Sequence, residues 1–245
     1  MLSKPIVKYI QSLAYKKLRD EQGVFIAEGP KVVPELLLSK KFTCKIICCT
    51  KNWLDENEKL HSNISADIHE INEIELEKIS QLQTPNKVLA VFFKNEDPAI
   101  HISNTVSLML DEIQDPGNMG TIIRTADWFG MKNIICSNEC VDCYNPKVVQ
   151  ASMGSVSRVN IIYKELEAFI DEHKGIKIYA ATLGGKTLTS FGKITEGIVL
   201  IGNESKGVKE NLINLATGQI TIPKYGGAES LNAAVACGII LSHII

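Results

Sequence analysis

The chain has 245 residues, 45% of them hydrophobic and 22% charged, and its 26 Lys and Arg against 28 Asp and Glu leave a formal net charge of −2. This composition excludes disorder as the main state, and the length suits one large domain or two modest ones. No stretch reaches the roughly 20 apolar residues a bilayer demands, the run Ala233 to Ile245 being interrupted by Ser242 and His243. The opening MLSKPIVKYIQ has no apolar signal core, so a cytoplasmic protein with seven reduced cysteines is expected.

Charge is uneven along the chain. Residues 1 to 51 hold ten Lys and Arg against four acids, and residues 52 to 80 hold two against eight. Lys4, Lys8, Lys16, Lys17 and Arg19 lie on a segment whose Ile6, Val7, Ile10, Leu13, Ala14 and Leu18 recur at helical spacing. An amphipathic helix is expected, its basic face either solvated or turned to phosphates. Next come a strand at Val24 to Ala27, the Gly29-Pro30 turn, a helix over Val32 to Leu38 and a buried strand over Cys44 to Thr50. A second α/β alternation follows: a helix from Asn52 to His61, a short strand at Ile68 and His69, a helix from Glu73 to Leu82 and a strand from Val88 to Phe93. Lys94 to Asn104 reads as a linker, which predicts domains over 1–95 and 105–245 joined by 96–104.

From Thr105 strands are predicted at Val106–Leu110, Asn133–Cys136, Val159–Tyr163, Lys177–Ala181, Ile198–Ile201 and Gln219–Ile222. Helices are predicted at Met119–Phe129, Pro146–Met153, Glu165–His173, Lys209–Leu215 and Leu231–Ile245. This alternation predicts an α/β fold with a mostly parallel sheet covered on both faces, and ligands at the carboxyl ends of its strands.

Several local motifs carry no chemistry. Gly185-Lys186-Thr187 ends like a phosphate-binding loop, but Ala180 stands where that loop needs glycine. No Gly-x-Gly-x-x-Gly follows Leu110. Cys140-x-x-Cys143, with Cys136 upstream, has no second ligand pair at zinc spacing, so no metal is expected.

Three loops do carry chemistry. In the first, Leu110 to Asp127, a strand runs through Asp115-Pro116-Gly117 into a helix for which Asn118 is the expected N-cap and Gly130 the terminator. Arg124 sits in its early turns, where the helix dipole disfavours a cation unless an anion approaches. In the second, Ile201-Gly202-Asn203-Glu204-Ser205-Lys206-Gly207, two glycines allow close backbone approach to a ligand, and Glu204 is available as acceptor or base. In the third, Ile222-Pro223-Lys224-Tyr225-Gly226-Gly227 leads to Glu229, Ser230 and Asn232 at the mouth of an apolar helix, where a capping role explains Ser230 but not all three.

Asn-x-Gly-x-x-x-Arg, Gly-Asn-Glu-x-x-Gly and Ile-Pro followed by Ser-Leu-Asn, each after a strand, resemble the three motifs of the SpoU (TrmH-type) RNA ribose methyltransferases of the SPOUT superfamily. The resemblance covers Val106 to Ile245, and Lys17, Phe25 and Glu28-Gly29 resemble that family's L30-like substrate-binding domain. It implies a C-terminal trefoil knot beside a small N-terminal α/β domain. It further implies S-adenosylmethionine held around Thr182, Leu183, Gly202, Asn203, Ile222 and Leu231, with S-adenosylhomocysteine as product. The same resemblance assigns catalysis to Arg124, Glu204, Ser230 and Asn232 supported by Asn118, and a homodimer formed through the catalytic domain; RNA is expected to be gripped at Arg124 and by the basic N-terminal residues Lys16, Lys17 and Arg19.

A guanidinium is a donor and a poor proton acceptor, so Arg124 is expected to clamp a phosphate and stabilise developing alkoxide charge. Ribosomal RNA is the expected substrate. A transfer RNA substrate, methylation of a base, and a catalytically silent RNA-binding or ribosome-assembly protein are the alternatives.

Overall fold

The computed structural model describes residues 2–61, 64–95 and 99–245. Packing divides the chain into two units, Met1–Glu96 with Asp142–Arg158, and Asp97–Val141 with Val159–Ile245. The linker reading of 96–104 falls partly on residues 96–98, which lie outside the described residues. The expected domain 105–245 also contains residues 142–158, which the packing places with the N-terminal unit.

The single basic helix expected at the N-terminus is two, α1 (Lys4–Ser12) and α2 (Lys16–Gln22). The chain turns at Leu13 to Tyr15, and this lets Ile10 and Leu13 both enter the core. Gly23, at φ +60°, ends α2 in the left-handed conformation that glycine adopts without strain. β1 (Val24–Glu28) follows, then α3 (Val32–Leu38), β2 (Cys44–Cys49), α4 (Lys51–Glu56), α5 (Glu58–His61), β3 (Asp67–Glu70), α6 (Glu73–Ile79) and β4 (Val88–Phe93). Asn72 and Glu75 form a reciprocal capping box that starts α6.

The sheet of this unit has the order β1-β4-β2-β3, with β4 antiparallel to both β1 and β2, and β3 parallel to β2. Alternation along β1 divides its side chains between faces. Val24 and Ile26 join Ile10, Leu13, Leu76 and Ile79 in one core cluster, whereas Phe25 stacks with Phe92 at 5.6 Å and meets Tyr144 at 4.8 Å. Tyr144 thus brings residues 142–158 into this unit, and with them comes α8 (Pro146–Ser152).

The second unit contains β5 (Val106–Leu110), α7 (Pro116–Trp128), β6 (Asn133–Cys136), β7 (Asn160–Tyr163), α9 (Leu166–Glu172), β8 (Ile178–Thr187), β9 (Gly197–Ile201), α10 (Glu210–Leu215), β10 (Gly218–Thr221) and α11 (Ala233–Ile244). Its six strands lie in the order β10-β8-β9-β5-β6-β7, every pair parallel, and β5 and β9 are buried throughout, as apolar strands covered on both faces must be. The chain winds outward from β5 to β7, then crosses to lay β8, β9 and β10 on the other side. The loops leaving β5 and β9 therefore diverge at the point where the winding reverses, the usual place for a ligand crevice.

Two helix starts differ from expectation. α7 begins at Pro116 and its N-cap is Asp115, whose carboxylate accepts the Asn118 N–H at 2.8 Å. Pro116 at the first helical position needs no partner for its nitrogen, so the turn starts two residues before the expected cap and leaves the Asn118 side chain free for another contact. α11 is capped by Asn232 and not Ser230, because Asn232 Oδ1 accepts the N–H groups of Ala234 at 3.0 Å and Val235 at 3.2 Å. Gly130 does close α7, at φ +73°.

Candidate active site

β8 runs six residues beyond its expected end, and the excess is where the site begins. Gln219 of β10 pairs with Ala180, but the next residue, Ile220, pairs with Lys186, so 181–185 bulge out of register. The Thr221 hydroxyl pins the excursion by donating to the Thr182 carbonyl at 2.9 Å while accepting the Gly185 N–H at 2.5 Å. A Cβ at Gly185 would stand 2.5 Å from the Gln219 backbone, so glycine permits the return into the sheet.

The second wall comes from the loop after β9. Asn203 and Gly207 exchange backbone hydrogen bonds of 3.0 and 2.9 Å, and Asn203 Oδ1 accepts the N–H groups of Ser205 and Lys206 at 2.9 and 3.1 Å. Closure is so tight that a Cβ at Gly202 would lie 2.3 Å from Gly207, and no other residue fits there. The third wall is the segment Ile222 to Leu231 leading into α11.

These walls enclose a cavity of about 530 Å³ in the second unit, within the range of small-molecule sites. Its apolar side is built from Ile201, Ile220, Ile222, Leu231 and Ile240. All six residues expected to hold a cofactor, Thr182, Leu183, Gly202, Asn203, Ile222 and Leu231, line it, as do Glu204 and Ser230.

A chain of polar contacts runs from the cavity wall into the two helices. Asn118 Nδ2 donates to Glu204 Oε1 at 2.6 Å, Asn232 Nδ2 donates to Asn118 Oδ1 at 2.8 Å, and Asn232 Oδ1 caps α11. Its ends dictate its direction, because a carboxylate only accepts and helix N–H groups only donate, which fixes both amides between them. Among the described residues, Glu204 Oε2 has no hydrogen-bond partner. Ser230 is exposed at the rim and takes no part in this chain.

Below the β9 loop lies a charged cluster that sequence reasoning missed. Asp111, 1% exposed, accepts the Lys209 N–H at 2.9 Å, and Lys209 Nζ lies 2.9 Å from Glu112 Oε1 and 3.6 Å from Asp111 Oδ1. Burial pushes the Asp111 carboxyl above the ordinary aspartate value, while the hydrogen bond from Lys209 holds Glu112 below that of glutamate. These residues follow their strand or loop without any periodicity, so only register reveals the cluster.

Residues 105–242 match the family model described as the SpoU rRNA Methylase family. The chain belongs to the SpoU rRNA methylase family. Residues 4–90 match the MRM3-like substrate binding domain. Among similar proteins, the Bacillus subtilis 23S rRNA (guanosine(2553)-2′-O)-methyltransferase RlmP is 29% identical, over 97% of this chain and 95% of its own. A TrmH-family structure from Porphyromonas gingivalis superposes with a TM-score of 0.87 at 35% identity, covering 99% of this chain and 97% of its own. An AdoMet-bound rRNA methyltransferase from Sinorhizobium meliloti gives 0.86 at 33% identity, covering 98% and 94%.

For a SpoU methylase the cations matter next. Arg124 lies exposed on α7 and is not part of its own chain's cavity wall. Lys16 and Lys17 are exposed, paired along α2 with Asp20 at 2.9 Å and Glu21 at 3.8 Å. Arg19 leaves the expected RNA-facing set: it is 1% exposed, donates to the carbonyls of Leu13 and Ala14, and pairs with Asp142 at 2.6 Å. It faces inward, where its guanidinium meets the carbonyls that the turn at Leu13 to Tyr15 presents and the Asp142 carboxylate. All seven cysteines are buried, and no group of three or more His, Cys, Asp or Glu among the described residues is arranged to hold a metal ion. No helix of the described residues is long and apolar enough to cross a membrane.

Proposed function

We propose that the protein is a cytoplasmic, S-adenosylmethionine-dependent methyltransferase that modifies a ribose 2′-hydroxyl of ribosomal RNA. The observation that carries this reading is the cavity at the carboxyl ends of β8, β9 and β10, with Glu204 in its wall and Asn118 and Asn232 ordered behind it. Apolar walls with backbone donors suit an adenosine, and the collar of Gly202 and Gly207 suits close backbone approach. S-adenosylmethionine supplies an electrophilic methyl group and departs as S-adenosylhomocysteine.

The chain's residues then divide the remaining work. Thr182, Leu183, Gly202, Asn203, Ile222 and Leu231 hold the donor. Asn118 and Asn232 orient Glu204, whose free oxygen is the candidate proton acceptor, and Ser230 at the rim contacts the acceptor ribose. Arg124 clamps the neighbouring phosphate and stabilises developing alkoxide charge.

Arg124, exposed on α7, serves the cavity of a second subunit in a homodimer, as the resemblance to the SpoU family implies. The exposed apolar residues Trp128, Val235 and Ile239 on α7 and α11, at 84%, 51% and 37% exposure, supply the contact surface. The segment from Ile222 through α11 is threaded as a trefoil knot, a reading supported by its lining the same cavity as the loop after β9. Lys16 and Lys17 grip RNA phosphates from the N-terminal unit.

The test is incubation of labelled S-adenosylmethionine with total RNA from cells lacking this protein, followed by nucleoside analysis. A labelled 2′-O-methylnucleoside in ribosomal RNA is expected. Label in transfer RNA, on a base, or in nothing at all selects the transfer RNA enzyme, the base methylase or the silent RNA-binding protein instead.

A further inference from the structure

Glu112 stands in an unusual conformation. Its φ is +53°, in the left-handed region where a side chain costs energy that glycine avoids. A residue kept there needs compensating contacts, and Glu112 has one at every polar group. Its N–H donates to Ser137 Oγ at 3.1 Å, and its carbonyl accepts Asn203 Nδ2 at 2.8 Å. Its carboxylate takes Lys209 Nζ at 2.9 Å on one oxygen and approaches Lys206 Nζ at 3.5 Å on the other. Three of these four contacts end on residues 203–209, in or beside the loop that walls the cavity.

We propose that Glu112 is a positioning residue for methyl-donor binding, holding the Gly202–Gly207 loop in the shape that closes one side of the cavity. The left-handed turn presents its carbonyl to Asn203 and its carboxylate to Lys206 and Lys209 together. Asn203 passes the constraint on through its Oδ1 to the backbone N–H groups of Ser205 and Lys206. The inference rests on the reading of this cavity as the S-adenosylmethionine site.

Glu112→Gly and Glu112→Gln separate positioning from bulk stability. Glycine relieves the backbone strain and keeps both backbone hydrogen bonds but removes the carboxylate, and glutamine keeps the shape without the charge. In the cofactor-free protein, amide hydrogen exchange should accelerate severalfold at residues 203–207 in both variants and nowhere in the strands, with the thermal midpoint of Glu112→Gly at or above that of the parent. Calorimetric affinity for S-adenosylmethionine should weaken about tenfold, the scale of a lost charge-assisted contact. Unchanged exchange in the loop overturns the proposal. So does faster exchange with unchanged affinity, or a Glu112→Gly midpoint that falls in step with the affinity. A parent protein that binds no S-adenosylmethionine overturns the reading of the cavity, and the exchange data still report whether Glu112 holds the loop.

Discussion

The N-terminal unit turns Arg19 and Glu28 inward, whereas the C-terminal unit leaves Arg124 outward and holds Glu204 in a cavity wall. Arg19 is buried against Asp142 and two carbonyls, and buried Glu28 accepts from the Ser80 hydroxyl and from the Gln81 N–H at 2.8 Å. In the second unit Arg124 is exposed, and Glu204 spends one oxygen on Asn118 and, among the described residues, has no partner for the other. Buried charges satisfied within the chain hold a fold together, whereas charges held in place but left incomplete are available to a substrate. Both arginines lie on helices, so residue type alone does not separate them.

The comparison breaks most directly at Arg19. Changing Arg19→Met strands the Asp142 carboxylate and should cost about 3–5 kcal/mol in urea unfolding. If stability holds and RNA affinity drops instead, Arg19 belongs with the outward group. Arg124→Lys should behave in the opposite way, with the methylation rate falling about a hundredfold, roughly 2.7 kcal/mol, while the melting temperature and the calorimetric affinity for S-adenosylmethionine stay at parental values. Loss of donor affinity in that variant would move Arg124 from the phosphate to the cofactor.

Two glutamates, Glu204 and Glu28, sharpen the contrast. Glu204→Gln keeps an acceptor for Asn118 but removes a base, so the methylation rate should fall at least about a hundredfold. A parental rate across pH assigns Glu204 to orientation alone. Burial raises the Glu28 carboxyl above the ordinary value of 4.5, so the folded chain binds this proton more tightly than the unfolded one. The contribution of Glu28 to stability should then decline as pH rises from 4.5 through its folded value and level off above it, so the difference in thermal midpoint between the parent and Glu28→Gln should change over that range. The smallest effect belongs to Lys17, whose side chain is 85% exposed: Lys17→Gln should leave stability within about 0.5 kcal/mol and reduce the salt dependence of RNA binding by about one charge.

Much of the site was legible because its chemistry follows strand ends. Gly202, Glu204 and Asn232 stand out in the sequence as polar or glycine positions breaking apolar runs, and each falls on the cavity or on the polar chain beside it. Glu112 and Lys209 carry no comparable signal. A glutamate after a strand is unremarkable until its φ is known, and the N-terminus of α10 gives no hint that Lys209 reaches Asp111. Caps were misread for a similar reason. Asp115 and Asn118 are both good cap residues, and only the start of hydrogen bonding at Pro116 selects between them.

Sequence alone determined the order of strands and helices, the parallel character of the larger sheet and the three loops whose residues meet at the cavity and the polar chain beside it, because apolar periodicity and turn residues act over a few neighbours. Tertiary structure decided which arginine is buried, how residues 181–185 leave the sheet, and that residues 142–158 pack with the N-terminal unit. It also decided that Asn118 meets Glu204 and Asn232, which lie 86 and 114 positions further along the chain. Those contacts depend on strand order and register, and no local pattern encodes a hydrogen bond between segments that only the folded sheet brings together.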